Sequence, residues 1–210
     1  MNQKNGKNSL GLDSIFEDLD NPIDLFKNWF KKAEETEIND PNALALGTAD
    51  KTNQPSVRMV LLKGLSNEGF VFYTNFNSKK GSDLKVNQQA SMCFHWKSLR
   101  RQVRVIGKVN QVSEKEADSY YNSRPYKNRI GAWASNQSDK LDSRDTFLKK
   151  IAEFEKKYPD QNKVPRPPHW SGWRVIPKEI EFWLDGEGRI HERLNYINNN
   201  GKWQKEILYP

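Results

Sequence analysis

The chain is poor in several things that would place it quickly. It has a single cysteine among 210 residues, Cys93 in the apolar run ASMCFHW. One thiol cannot build a disulfide framework, so a reducing, cytoplasmic compartment is expected. No apolar run approaches the length of a membrane span, and the terminus MNQKNGKNSL lacks an apolar signal region, so a soluble, unsecreted protein with no membrane partner is expected. Hydrophobic residues make up only 35% of the chain, which predicts a lean core completed by a partner subunit. No zinc-finger, RNP or helix-turn-helix signature is present, and no metal is expected. The formal net charge of +7 admits nucleic acid, an anionic surface or phosphorylated small molecules. Basic residues interleaved with acids in most windows argue against nucleic acid.

What the chain does contain is a dense polar stretch at residues 120–138, YYNSRPYKNRIGAWASNQS, with Arg124, Lys127, Arg129 and Trp133. A helix over 113–124 would place Tyr120 and Arg124 on one face, four residues apart. Pro125 then ends that helix, because the residue before a proline is pushed out of the α region. A phenol and a guanidinium leaning together beside a donor-rich loop describe an anion pocket. A solvated helix end anchored by Trp133 is the alternative.

Taken in order, the first twenty residues show little periodicity and are expected to be a flexible arm, followed by one domain over 21–210. Asn21-Pro22 reads as an N-cap with proline at the first helical position, ahead of Leu25, Phe26, Trp29, Phe30 and Ala33 at helical spacing. ALALGTA, QPSVRMVLLKG, GFVFYTN, ASMCFHW and RQVRVIGKVNQV read as strands, the second with Val57, Met59 and Leu61 on one face and Arg58, Val60 and Leu62 on the other. Their short connections favour an antiparallel sheet or barrel. SKKGSDLKVN reads as a short helix capped by Ser78, with Lys79 and Lys80 in the first turn, where the helix dipole disfavours cations. A bound anion would explain them; surface lysines are the plain alternative. DSRDTFLKKIAEFEKKY carries a stripe of Phe147, Leu148, Ile151 and Phe154. After a proline-rich connector, SGWRVIP, EIEFWL, RIHERLNYI and KWQKEILY read as four more strands. Strand alternation would turn Arg189, His191 and Arg193 to one face beside Trp183, a cationic row suited to a ligand.

RMVLLKG, FYTN with SKKG, RRQVRVIG, YYNSRP with IGAWASNQS, and IEFW followed by RIHER occur in the order and spacing of the pyridoxine (pyridoxamine) 5′-phosphate oxidase family, which the chain resembles over residues 21–210. The resemblance implies a mainly β fold with flanking helices (α+β), an FMN-binding split β-barrel, and a homodimer with FMN in clefts between subunits. It implies FMN contacts from Arg58, Met59, Val60, Leu61, Leu62, Lys63, Tyr73, Thr74, Lys79, Lys80, Gln102, Gln137, Ser138, Trp183 and Arg193. It implies a substrate site of Lys63, Tyr120, Arg124 and Asn128 around the phosphate, with Arg189 and His191 catalytic near the pyridine ring. The implied reaction is oxidation at C4′ of pyridoxamine or pyridoxine 5′-phosphate, with hydride passing to flavin N5. O2 is then the acceptor, giving H2O2 and, from the amine, ammonia.

Three positions depart from the family's pattern. Lys79 stands where arginine is usual, which keeps the charge and loses bidentate geometry. Asn128 stands where serine is usual, and a basic Arg-x-x-Tyr element often found in the N-terminal arm is missing. A split-barrel flavin reductase, or a non-enzymatic binder of pyridoxal phosphate or FMN, are the alternatives; a reductase would have little use for Lys63, Tyr120 and Arg124.

Overall fold

The computed structural model describes residues 6–210. The elements run α1 (Pro22–Thr36), β1 (Ala43–Ala49), β2 (Pro55–Leu61), β3 (Gly64–Ser66), β4 (Gly69–Asn75), α2 (Lys79–Val86), β5 (Gln89–Trp96), β6 (Arg101–Gln111), α3 (Glu114–Ser123), α4 (Tyr126–Ala134), α5 (Arg144–Lys157), β7 (Trp170–Leu184), β8 (Glu192–Asn199) and β9 (Lys202–Ile207). The strands form one sheet in the order β2-β1-β5-β6-β7-β4-β3, with β8 and β9 branching from β7. Every strand pairing is antiparallel. Only Leu62 and Lys63 separate β2 from β3, and the Lys63 N–H donates to Val71 O at 2.8 Å, so the path of strands closes on itself.

The split lies in β7. Its first half, 170–175, pairs with β4, and its second half, 179–184, pairs with β8, while β6 follows it along the other edge with a register shift between Ile106 and Gly107. Pro177 cannot donate to a ladder and sits opposite this bulge, where a missing N–H is tolerated. A Cβ on Gly107 would lie 2.0 Å from Ile176 O, so only glycine lets the two strands cross there. SGWRVIP and EIEFWL, expected as separate strands, are therefore one strand that changes partner at its proline.

α1 plugs the barrel. The Asn21 side chain accepts from the Ile23 N–H at 3.0 Å, and Ile23, Leu25, Phe26, Trp29 and Ala33 are buried. Phe26 meets the rings of Phe70 and Phe94, each with centroids 4.9 Å away. Large aromatic side chains bury much area per residue, which is how a chain with few hydrophobic residues closes its core. On β2, Val57 (70% exposed), Met59 (66%) and Leu61 (37%) remain as an uncovered apolar row.

Residues 6–20 are docked, in contrast to the flexible arm expected. Phe16 is buried with its ring 5.3 Å from that of Trp29, whose indole N–H donates to Ile15 O at 2.9 Å. Tyr196 donates to Leu19 O at 2.9 Å, and Glu192 accepts from Lys7 at 2.6 Å and from the Asp13 N–H at 2.5 Å. The segment is a loop held by isolated anchors, which leave no periodicity to read. Residues 1–5 of the expected arm lie outside the described residues. The residues after Pro125, expected as loop, form α4, against which Phe147, Ile151 and Phe154 of α5 are half-buried while Leu148 faces solvent.

Candidate active site

A cleft of about 1160 Å³ opens among β2, β4, α2, α3 and α4. Two groups of cations stand in it. The first is built on β2 and α2. The Arg58 guanidinium is held by Thr48 Oγ1 at 2.6 Å, Ser56 Oγ at 2.8 Å and Leu46 O at 3.2 Å, with Asp83 3.8 Å away. Ser78 caps α2 by accepting from the Gly81 N–H. Lys80, 8% exposed, donates to Gln137 Oε1 at 2.8 Å and Ser78 Oγ at 3.2 Å. Among the described residues no carboxylate pairs with it, and burial, aided by the nearby Arg58 charge, pushes its ammonium down to about 8. Thr74 Oγ1 joins it on Gln137 at 3.2 Å, and Ser138 follows with φ 78°. Lys79 also lines the cleft but is paired with Asp83 at 2.7 Å and Asp50 at 3.5 Å. Of the two lysines in the first turn of α2, only Lys80 is left for an anion.

The second group is built on α3 and the start of β7. Tyr73 and Tyr120 stack with centroids 4.0 Å apart, and Trp170 lies nearly parallel to both, at 5.3 Å and 6.2 Å. Arg124, at the C-cap of α3, sits with its guanidinium carbon 4.7 Å from the Trp170 centroid. Its Nη1 is buried without a hydrogen-bond partner. A buried donor left unpaired costs free energy that an arriving acceptor recovers. Burial raises the Tyr120 phenol and pushes that of Tyr73 up to about 12, with Glu116 adding to the latter. Both therefore stay neutral hydroxyl groups near neutral pH. Lys63 and Asn128 stand exposed at the rim.

The cleft thus gathers Arg58, Met59, Val60, Leu61, Lys63, Tyr73, Thr74, Lys79, Lys80, Tyr120, Arg124, Asn128, Gln137 and Ser138. Leu62 is turned into the core, and both its backbone groups are taken by Asn42. The remaining expected residues gather elsewhere. Gln102, Trp183 and Arg193 form a transverse row over β6, β7 and β8, with the His191 ring 4.6 Å from Trp183. Arg193 is taken up by Glu181 at 2.9 Å and by Tyr209 O at 2.9 Å.

The expected alternation of Arg189, His191 and Arg193 is absent. Arg189 ends a 3₁₀ turn, Glu187–Arg189, at φ 65°, and β8 begins only at Glu192. A Cβ on Gly186 would lie 1.8 Å from Ile190 O, so glycine permits the tight bend that interrupts the strand. The bend returns His191 to its base, where Nδ1 faces the Gly186 N–H and Asp185 Oδ1, each at 3.1 Å. Sequence reasoning missed Ser56 and Trp170. Ser56 shares the parity of Arg58 on β2 and was legible; Trp170, first residue of β7 after the proline-rich connector, gave no periodic signal.

Lys80 and Arg124, cations without a carboxylate partner among the described residues, share a cleft with an aromatic stack, which suits flat, phosphorylated ligands, and Lys80 with Arg58 fit the phosphate of FMN. With the closed, forked sheet they define the FMN-binding split-barrel class. A sequence model described as "Pyridoxamine 5'-phosphate oxidase" matches residues 30–158, and one described as "Pyridoxine 5'-phosphate oxidase C-terminal dimerisation region" matches residues 170–210. This chain belongs to the pyridoxamine 5′-phosphate oxidase family. A pyridoxine/pyridoxamine 5′-phosphate oxidase of Pelagibacter ubique is 61% identical over 207 residues, covering 98% of this chain and 100% of the relative. Its counterpart in Agrobacterium fabrum is 51% identical over 199 residues, with 94% and 96% covered. Among solved structures, PhzG from Burkholderia lata, in complex with tetrahydrophenazine-1-carboxylic acid, matches with a TM-score of 0.88 at 29% identity, covering 98% of this chain and 100% of that one. Among the described residues no helix is long and apolar enough to cross a membrane, and no cluster of His, Cys, Asp or Glu could hold a metal ion.

Proposed function

We propose that the chain is a pyridoxamine/pyridoxine 5′-phosphate oxidase, oxidising C4′ to the aldehyde of pyridoxal 5′-phosphate. O2 is the acceptor, with H2O2 and, from the amine, ammonia as further products. The observation that carries this reading is that two cationic groups, Lys80 with Arg58 and Arg124 with Lys63, line one cleft together with the Tyr73–Tyr120–Trp170 stack. One group receives the cofactor phosphate and the other the substrate phosphate. FMN, when bound, supplies the redox chemistry.

The residues of the chain bind and orient. Arg58 and Lys80 hold the cofactor phosphate, and Thr74, Gln137 and Ser138 offer polar contacts beside it. Lys63, Arg124, the neutral Tyr120 hydroxyl and the Asn128 amide hold the substrate phosphate. Arg189 cannot lose its proton and serves to clamp, whereas His191 can hold or move one. Trp183, Arg189, His191, Arg193 and Gln102 reach a cleft only if a second chain brings them there. A homodimer supplies that chain, and the exposed row Val57, Met59 and Leu61 along the wall of the cleft gives it an apolar surface to cover. The free, half-buried Cys93 suits the reducing cytoplasm.

The test is oxygen uptake by the purified protein with pyridoxamine 5′-phosphate and added FMN. Stoichiometric uptake with aldehyde formation is expected. Reduction of free flavin by a nicotinamide, without oxygen uptake on the amine, would contradict the proposal.

A further inference from the structure

Trp170 is fixed from every side. It is 6% exposed and pairs with Asn75 of β4. Its N–H donates to Pro167 O at 3.0 Å, and its carbonyl accepts from Arg166 at 2.8 Å. Its ring lies 8° from parallel to Tyr73 and meets Tyr121 edge-on at 5.2 Å. Against this rigid plate rests Arg124, 4.7 Å from the Trp170 centroid and 5.9 Å from that of Tyr121, with no carboxylate partner among the described residues.

This mode of restraint has a chemical consequence. A carboxylate that held Arg124 would occupy its in-plane N–H donors and repel an incoming phosphate. An aromatic face engages the guanidinium through its π surface and leaves the edge donors for an oxyanion. No group among the described residues competes for these donors, and Nη1 is left buried without a partner.

We infer that Trp170 is a positioning residue for Arg124, holding the guanidinium in place for the substrate's phosphate while leaving its donors free. The inference rests on the assignment of Arg124 to the substrate proposed above.

The test uses the FMN-loaded enzyme with Trp170→Leu, Trp170→Phe, Arg124→Gln and the double variant Trp170→Leu/Arg124→Gln. Trp170→Leu should raise KM for pyridoxamine 5′-phosphate about fivefold to thirtyfold, the range of a desolvated cation–π contact. The change in kcat should be much smaller, and FMN bound per subunit should be unaltered. Trp170→Phe keeps an aromatic face and should stay within about threefold of the parent. In the Arg124→Gln background, Trp170→Leu should add less than about twofold, because the contact it serves is already gone. An undiminished effect in that background, or loss of FMN from both Trp170 variants, would overturn the inference and leave Trp170 as general support for the fold. If Arg124→Gln alone leaves KM unchanged, the assignment of Arg124 falls and the inference with it.

Discussion

The cleft and the Gln102–Trp183–Arg193 row are both rich in arginine and aromatic rings, but their charges are treated differently. In the row, Arg193 and Arg104 share the buried Glu181, and next to His191 the side chain of Arg100 is tied to Asp185. In the cleft, Lys80 has only neutral partners and Arg124 has only rings. A cation already paired with an acid shapes the protein; one buried without an acid is set to receive an anion. Lys80 and Arg124 are therefore set apart from Arg58 and Lys79 of the same cleft, which have Asp83 beside them, by what they lack, and the +7 total could never reveal that.

Gln102, Trp183, His191 and Arg193 line no part of the cleft within the described chain, so on the proposed function the largest effect should come from keeping two chains apart. Met59→Glu places a carboxylate in the apolar row on β2, where burial against a partner would cost about 3 kcal/mol or more. Monomers by light scattering, with turnover reduced by about a hundredfold or more, are expected. An active monomer would show that one chain suffices.

Within the dimer the regions should fail differently. Lys63→Ala or Arg124→Gln removes a charge-assisted contact of about 1.5–3 kcal/mol and should raise KM for the phosphorylated substrate roughly tenfold to 150-fold with FMN retained. His191→Leu should instead lower kcat with KM little changed. Parallel effects on kcat from both would erase the distinction. A smaller contrast lies at the rim. Asn128→Ser exchanges one donor for another and should alter KM by about threefold or less, whereas Asn128→Asp sets a carboxylate against phosphate and should cost about tenfold or more. Equal KM values would turn residue 128 away from the substrate.

The smallest effect is a proton. Lys80 in the folded chain titrates at about 8, below its ordinary 10.5, so between those values the unfolded chain binds more protons. Stability of the cofactor-free protein should then rise with pH across that window. A bound phosphate restores the charge, so FMN binding at pH 8, where the phosphate is already a dianion, should take up about half a proton, whereas at pH 6 Lys80 is already charged and the phosphate, with its second pKa at about 6, should release protons instead. Calorimetry in two buffers of different ionisation enthalpy measures it. Equal uptake at both pH values would place the anion away from Lys80.

Much of the first region was legible because its residues sit on regular elements. Alternation found β2 with Arg58, Ser78 announced α2, and helical spacing joined Tyr120 to Arg124. The second region was misread where the backbone stops being regular. Gly186 and Gly188 bend the chain into a 3₁₀ turn, so counting by twos from Arg189 to Arg193 compares residues that share no strand. Pro177 looked like a strand end and is a bulge inside one. Phe16 and Leu12 anchor the N-terminal segment singly, and single anchors have no period. Trp170 owes its importance to Arg124, a neighbour 46 positions away in sequence, and no local pattern announces such a contact.

The central claim is that each active site joins the cleft of one chain to the His191 region of its partner. Subunits carrying Arg124→Gln should be mixed with subunits carrying His191→Leu, each impaired alone, and allowed to exchange. With random pairing half the dimers are hybrids, and each hybrid holds one intact site, so recovery to about a quarter of the parent activity is expected. If instead Arg124 and His191 of the same chain serve one site, no hybrid contains an intact one, and activity that stays at the level of the separate variants would contradict the claim.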